Sequence, residues 1–234
     1  MRQLAATALV LPLLLVGCAT TTSTSTTPPT GAPRDARMAL PASVAEVAEE
    51  SFGQAEWGRR GDFLLNGQRV RYDRGADRLA LFASLDAPAA ALRFTWAAPG
   101  GDSTADCTGR PSAPTANSRS AAARPWSLNC RWGGSPDATL QVGEGEMRRG
   151  KLTRDGAYRR GELTVGLRSV HLLEGNAKPQ TAAVGYELLH EGRVVGSLDL
   201  SRGAPRLRRP DPATPLGRAV TEAALALALA SEPG

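Results

Sequence analysis

Hydrophobic and polar residues alternate along much of this chain, and the alternation is clearest where a turn signal divides it. In DFLLNGQRVRYDR (62–74), Phe63, Leu65, Val70 and Tyr72 fall on one face, while Leu64, Arg69 and Arg71 fall on the other. A period of two marks a strand with one buried face. Asn66-Gly67 lies between the two runs, and this pair suits the hairpin turn in which both central residues take positive φ. A two-residue turn pairs Leu65 with Gln68, Phe63 with Val70 and Asp62 with Arg71. Turn chemistry and patterning therefore predict the same register.

Other segments follow the same rule. RLALF (78–82) reads as the next strand. Leu92, Phe94 and Trp96 alternate with Arg93 and Thr95; Trp126, Leu128, Cys130 and Trp132 alternate with Ser127, Asn129 and Arg131. The two Trp of PWSLNCRW share a face with Leu128 and Cys130, so they read as core rather than as a binding platform. ATLQV (138–142) is a further strand. In GELTVGLRSVHLLE, Leu163, Val165 and Leu167 share one parity, whereas Val170 and Leu172 take the other. That change predicts a bulge or bend at Arg168-Ser169. AVGYELLHEGRVVGSLDLS is a second hairpin. A two-residue turn would set Val184 against Asp199. A three-residue loop, Glu191-Gly192-Arg193, aligns Val184, Tyr186 and Leu188 with Leu200, Leu198 and Gly196, and burial favours that register. Ser43-Val44-Ala45-Glu46 resembles a capping box and predicts a short helix running to about Glu50.

The pattern changes at the C-terminus. Thr214 suits an N-cap and Pro215 the first helical position. From there the chain is helical to Ala230, and no polar residue follows Glu222 until Ser231. A helix that is apolar all round is buried all round, and this one is too short for a bilayer, which needs about 20 residues. The fold is thus mainly β, an antiparallel barrel or sandwich with a C-terminal apolar helix and a short N-terminal one. This order of elements resembles the tubby-like superfamily, which includes the phospholipid-scramblase and LURP-one-related proteins. Gly192-Arg193-Val194-Val195-Gly196 is loosely similar to strand repeats of that family. The resemblance implies a closed barrel around a central C-terminal helix. The long segment between Cys107 and Cys130 departs from it. A β-sandwich, or an open sheet with the helix on one face, is the alternative.

The first residues carry a different signal. Arg2 precedes an apolar run over 4–16, too short to span a bilayer and followed by small residues, which is the layout of a signal peptide. Leu15-Val16-Gly17-Cys18 resembles the lipobox of bacterial lipoproteins. That resemblance implies removal of residues 1–17, diacylglycerol on the Cys18 sulfur and acylation of the new amino group. Ala19, rather than Asp, in the next position is similar to the pattern for transport to the outer membrane. Residues 18–36 then form the lipidated Cys and a tether dominated by Thr, Ser and Pro, with too little apolar surface to offset the entropy of ordering. Residues 37–234 form a single β-rich domain, long enough for a sizeable core. The expected location is the bacterial envelope, lipid-anchored at the outer membrane and facing the periplasm.

Composition adds the partners. The formal charge is +5, and Lys151 and Lys178 are the only lysines among many arginines. Arginines recur as Arg69/Arg71/Arg74/Arg78, Arg148/Arg149/Arg154/Arg159/Arg160 and Arg202/Arg206/Arg208/Arg209. Interspersed acids favour solvated faces of strands and loops over one anion-binding patch facing lipid headgroups or cell-wall polymer. Export removes nucleic acid from the expected partners; a membrane held through the anchor, and another envelope protein, remain. With Cys18 as anchor, Cys107 and Cys130 are left in an oxidising compartment and read as a structural disulfide.

Catalytic patterns are sparse. The chain has no G-x-S-x-G elbow, S-x-x-K pair, H-E-x-x-H or P-loop. His171 lies in a strand and His190 at a hairpin end; each reads as an ordinary histidine rather than a general base. Glu144 and Glu146 of GEGE read as a solvated loop. No catalytic residue, metal site or cofactor is expected. The expected function is non-catalytic binding or support in the envelope. The alternatives are a carrier or sensor of an apolar ligand and, behind it, a cell-wall or lipid hydrolase.

Overall fold

The computed structural model describes residues 37–53, 59–75, 91–111, 126–134, 136–143 and 145–230. The expected leader, Cys18, the expected tether and the expected strand at 78–82 lie outside the described residues. In chain order the elements are α1 (Ala42–Ala45), β1 (Glu49–Ser51), β2 (Arg60–Leu65), β3 (Gln68–Arg74), β4 (Ala91–Trp96), β5 (Ser103–Pro111), β6 (Trp126–Trp132) and β7 (Ala138–Val142). They continue as β8 (Glu146–Arg148), β9 (Lys151–Thr153), β10 (Asp155–Arg160), β11 (Leu163–Val170), β12 (Gly185–His190), β13 (Arg193–Asp199), β14 (Arg206–Arg208) and α2 (Pro215–Ala230).

Twelve strands form one antiparallel sheet in the order β1-β14-β13-β12-β11-β10-β7-β6-β5-β4-β3-β2; β8 and β9 pair separately. The sheet curls until its ends meet. Phe52, just beyond β1, bridges to Leu65 at the end of β2, and the Gly53 N–H donates to the Leu64 carbonyl at 3.0 Å. The result is a nearly closed barrel, which removes most of the exposed edge an open sheet would leave.

Helix α2 fills the barrel. Its side chains from Ala223 to Leu229 are buried on every face, and it packs against β5, β10, β11 and β13, which lie on different parts of the wall. A sandwich, or a helix lying outside the sheet, does not fit this arrangement. The helix begins as its sequence predicts: Thr214 Oγ1 accepts from the Gly217 N–H at 3.0 Å, and the Arg218 N–H bonds the Thr214 carbonyl at 2.9 Å. Gly217 is required there, because a Cβ would lie 2.0 Å from the Asp211 carbonyl oxygen.

Both predicted hairpins form. β2 and β3 pair Leu65 with Gln68, Phe63 with Val70 and Asp62 with Arg71, across a turn with φ of 48° at Asn66 and 76° at Gly67. The second hairpin contains both competing registers. Glu191 and Gly192, at φ 50° and 78°, make a two-residue turn between His190 and Arg193. A shift between Leu188 and Leu189 then restores the pairs Tyr186 with Leu198 and Leu188 with Gly196. Turn geometry decides the tip, and burial decides the body.

Two expectations are corrected. Helix α1 has Pro41 as its N-cap with no side-chain cap, so Ser43-Glu46 forms no capping box. The helix stops at Ala45, and Glu49–Ser51 is a strand, because Arg206, Arg208 and Arg209 draw Glu49 and Glu50 into ion pairs beside β14. No bulge interrupts β11, which pairs with β10 and β12 without a shift. The inward parity of Leu163, Val165 and Leu167 continues to buried His171 and Leu173, while Leu172 turns outward. An N-terminal segment covers that end: Met38 bridges to Leu173. The alternation singles out β4 and β6 but not the strand between them. Strand β5 lies between them, with small inward residues Ser103, Ala105 and Cys107.

Cys107 and Cys130 are bonded, directly opposite each other on β5 and β6, with Cα atoms 3.9 Å apart. Their separation of 23 residues corresponds to about 3 kcal/mol of loop-closure entropy in the chain-entropy view. Trp132 is core, edge-on to Phe94 and Tyr158 at 6.0 and 5.3 Å. The side chain of Trp126 lies outside the described residues.

Candidate functional site

The central helix carries one carboxylate into the barrel. Glu222 is 0 % exposed, and an ionised group at such a place persists only when it is paired and hydrogen-bonded. Four donors meet it. Ser103 Oγ and Arg218 Nε reach Oε1 at 2.7 and 3.1 Å. Arg160 Nη2 reaches Oε2 at 2.9 Å, and the Tyr158 hydroxyl donates to the same oxygen in a short bond. Arg160 Nε in turn donates to the Tyr158 oxygen at 2.9 Å. Arg160 and Arg218 keep 23 % and 27 % of their side chains exposed, so they close one mouth of the barrel around the buried acid. With both carboxylate oxygens fully engaged, the cluster clamps helix to wall; it offers no free base or nucleophile.

Burial pushes the Tyr158 phenol far above its ordinary range, reinforced by the negative Glu222 beside it, and burial raises Tyr186 as well. Both stay protonated in the fold and ionise near pH 10 when unfolded. A raised folded pKa contributes stability that is complete below about pH 10 and is lost as pH rises beyond it. Urea midpoints should therefore fall with increasing alkalinity, and less steeply in Tyr158→Phe. Phenolate absorbance that rises well before unfolding, from both buried tyrosines, would contradict this.

A second feature lies outside the barrel. The β8–β9 hairpin stands beside the end of β11 and leaves a groove of about 410 Å³, lined by Arg148, Lys151, Asp155, Arg168, His171 and Leu172 among others. Arg148 pairs with Glu146 at 2.6 Å and Arg168 with Glu187 at 2.5 Å. Among the described residues no ion pair engages Lys151.

His171 borders this groove from below. Its Nδ1 lies 3.1 Å from the Gln180 carbonyl and its Nε2 3.2 Å from Ser169 Oγ. Desolvation lowers its pKa, and the positive Lys151 and Arg154 nearby add to the effect. The neutral ring thus donates from Nδ1 to the carbonyl and accepts at Nε2 from the serine. Ser169 Oγ itself accepts the Arg154 backbone N–H at 2.8 Å. His190 lies elsewhere, its Nδ1 3.0 Å from the Thr164 carbonyl. The structure does not bring the two histidines together.

The other predicted residues fall as follows. Cys18 and Glu144 lie outside the described residues. Glu146 belongs to β8 rather than to a loop, and faces solvent. The arginine groups divide by task. Arg206, Arg208 and Arg209 hold the β1 segment, with Arg209 also donating to Thr221 on the helix. Arg160 serves the buried acid, and Arg148 and Arg149 sit on the outer hairpin. Sequence reasoning missed Ser103, Tyr158 and Glu222 as one cluster; the available signal was the lone carboxylate of α2, placed where the helix becomes apolar all round, which requires partners. Among the described residues no group of three His, Cys, Asp or Glu is placed to hold a metal ion. No protein-family model, no curated protein and no solved structure matches this chain.

Proposed function

We propose that the protein is a lipid-anchored envelope lipoprotein whose domain binds or supports another envelope component without catalysis. The observation that carries this reading is the central helix. Because α2 occupies the barrel interior with side chains buried on every face, binding falls to the outer surface and the rim. A carrier of an apolar ligand needs an enclosed cavity in a barrel of this kind, and the helix stands where that cavity would be. The order of strands and central helix also supports a tubby-like architecture. The anchor rests on the lipobox-like Leu15-Val16-Gly17-Cys18.

The test is a mass measurement on protein extracted from bacterial membranes. The expected N-terminal peptide starts at an acylated Cys18, and Cys18→Ser releases the domain from the membrane fraction with a clean unliganded mass. An unmodified Cys18, or a defined apolar adduct retained by the released domain, overturns the proposal.

A second reading has one specific observation behind it. Ser169 Oγ beside His171 Nε2, with Nδ1 on a carbonyl, has the order of a nucleophile and its base. Under the binding reading, Ser169→Ala leaves the cellular phenotype of the intact gene unchanged. Loss of function without loss of protein would favour hydrolysis.

A further inference from the structure

We infer that the Cys107–Cys130 bond is made before the central helix enters the barrel, by exchange with a protein or small-molecule disulfide, and that α2 then seals it against thiols outside. The substrate of that exchange is the open sheet rather than the folded domain.

The sulfurs point inward. Cys107 follows Ser103 and Ala105 on the inner face of β5, and Cys130 stands between Leu128 and Trp132 on the inner face of β6. The two cysteines are 2 % and 1 % exposed. They belong to the same core as Ala223 to Leu229, and α2 packs against β5. Ser103 bonds Glu222 near the barrel mouth. Cys107 lies four residues further along the same face, about 13 Å down the strand, so the wholly apolar half of α2 runs alongside it. Strands β4 and β7 flank the pair and complete the wall behind it.

Exchange needs room on that inner face. One cysteine thiolate attacks a sulfur of the oxidant, whose other sulfur leaves as a thiolate. The second cysteine thiolate then attacks the sulfur of the first, and the remaining oxidant sulfur leaves. Both cysteines are oxidised, the oxidant is reduced to two thiols, and the two cysteine protons end on them. The intermediate mixed disulfide carries a foreign group inside the barrel, in space that α2 fills once folded.

The sheet brings the pair together without the helix. Cys107 stands directly opposite Cys130 in a β5–β6 ladder running from Ala105 to Pro111. Helix α2 follows both cysteines in the chain, and its own contacts, the Thr214 cap and the Glu222 clamp, involve neither. This order of events holds wherever the chain is oxidised; only the placing of the oxidant in the envelope rests on the export reading.

The experiment follows reduction of the full oxidised chain by dithiothreitol, with thiols counted by gel shift after maleimide-polyethylene-glycol labelling. Opening the bond adds two labels, and Cys18 contributes equally to every sample. The folded protein should react at least on the order of 10³-fold more slowly than the chain in urea, because only opened molecules expose the bond. Leu225→Ala loosens α2 and should speed reduction on the order of 100-fold, whereas Leu225→Met should stay within about tenfold of wild type. Near-UV circular dichroism checks that each variant starts folded. If Leu225→Ala does not fold, Glu222→Gln replaces it, with an increase on the order of tenfold. Reduction of the folded protein as fast as in urea, or a rate unchanged when α2 is loosened, would overturn the inference. In the reverse direction, oxidised glutathione is added to the reduced chain after dilution from urea. A reduced chain that regains the native near-UV signal and is then oxidised as fast as in urea would overturn it as well.

Discussion

Replacing Leu225 by Asp is expected to abolish the folded barrel. Leu225 lies in the middle of α2 and is fully buried. One helical turn away lie Thr221 and Glu222 on one side and Ala228 and Leu229 on the other; the Thr221 hydroxyl already donates to the Gly217 carbonyl, and Glu222 is itself a carboxylate held by four donors, so neither is a ready partner for a second acid. The variant loses the burial of a leucine, about 2–3 kcal/mol. It also buries an acid that must either stay charged, at several kcal/mol, or become protonated and leave its donor and acceptor unmatched. Together these approach the whole stability of a typical domain, about 5–15 kcal/mol. Near-UV circular dichroism, which reports the packed tryptophans, should be lost. Leu225→Met conserves volume and should cost less than about 1.5 kcal/mol in urea unfolding. An Asp variant that unfolds at the wild-type midpoint would mean that the helix does not occupy the barrel interior.

Why that helix was legible, and several strands were not, follows from what each element must do locally. Thr214 and Pro215 mark the start of α2 in the sequence itself, and its Ala and Leu run has no polar face to turn outward. The 62–74 hairpin was equally readable, since Asn66-Gly67 and the alternation of Phe63, Leu65, Val70 and Tyr72 demand one register. Strand β5 lacks such a signal. Its inward positions are Ser103, Ala105 and Cys107, small residues that face the helix and its carboxylate. In β10 the inward positions are Gly156, Tyr158 and Arg160, so a single aromatic stands between a glycine and arginines that read as turn chemistry. The apparent change of phase in β11 misled for a related reason. His171 looks polar but points inward, and Leu172 looks apolar but faces outward, because the segment around Met38 and Ala39 packs against that end. Long-range contacts override the local pattern there.

The candidate sites were less legible than the fold, and the cause is distance along the chain. Ser103, Tyr158, Arg160 and Glu222 come from β5, β10 and α2, and only the curl of the sheet around the helix makes them neighbours. The outer groove needs a hairpin, β8–β9, that stands apart from the main sheet. Its sequence, Glu146 to Thr153, presents a charge run that is ordinary in isolation. It becomes a feature only because β11 ends beside it and the N-terminal segment arrives at the same rim.

Glu222→Ala should destabilise the domain by about 3 kcal/mol. Breaking a buried ion pair from one side costs about 3–5 kcal/mol when the remaining charge is trapped. Here the remaining cations, Arg160 and Arg218, are each about a quarter exposed and can regain water. That places the loss at the lower end. Ser103 and Tyr158 cannot reach water so easily; both are buried, and each loses its acceptor. Glu222→Gln keeps one carbonyl oxygen and the volume, so it should lie between wild type and Ala. Urea unfolding at neutral pH measures all three. A cycle with Arg160→Ala separates pairing from packing: if the guanidinium acts through Glu222, the two substitutions together cost less than their sum. Strict additivity would mean that Arg160 stabilises the barrel mouth by other contacts. An alanine variant as stable as wild type would mean that the carboxylate is not held inside the barrel at all.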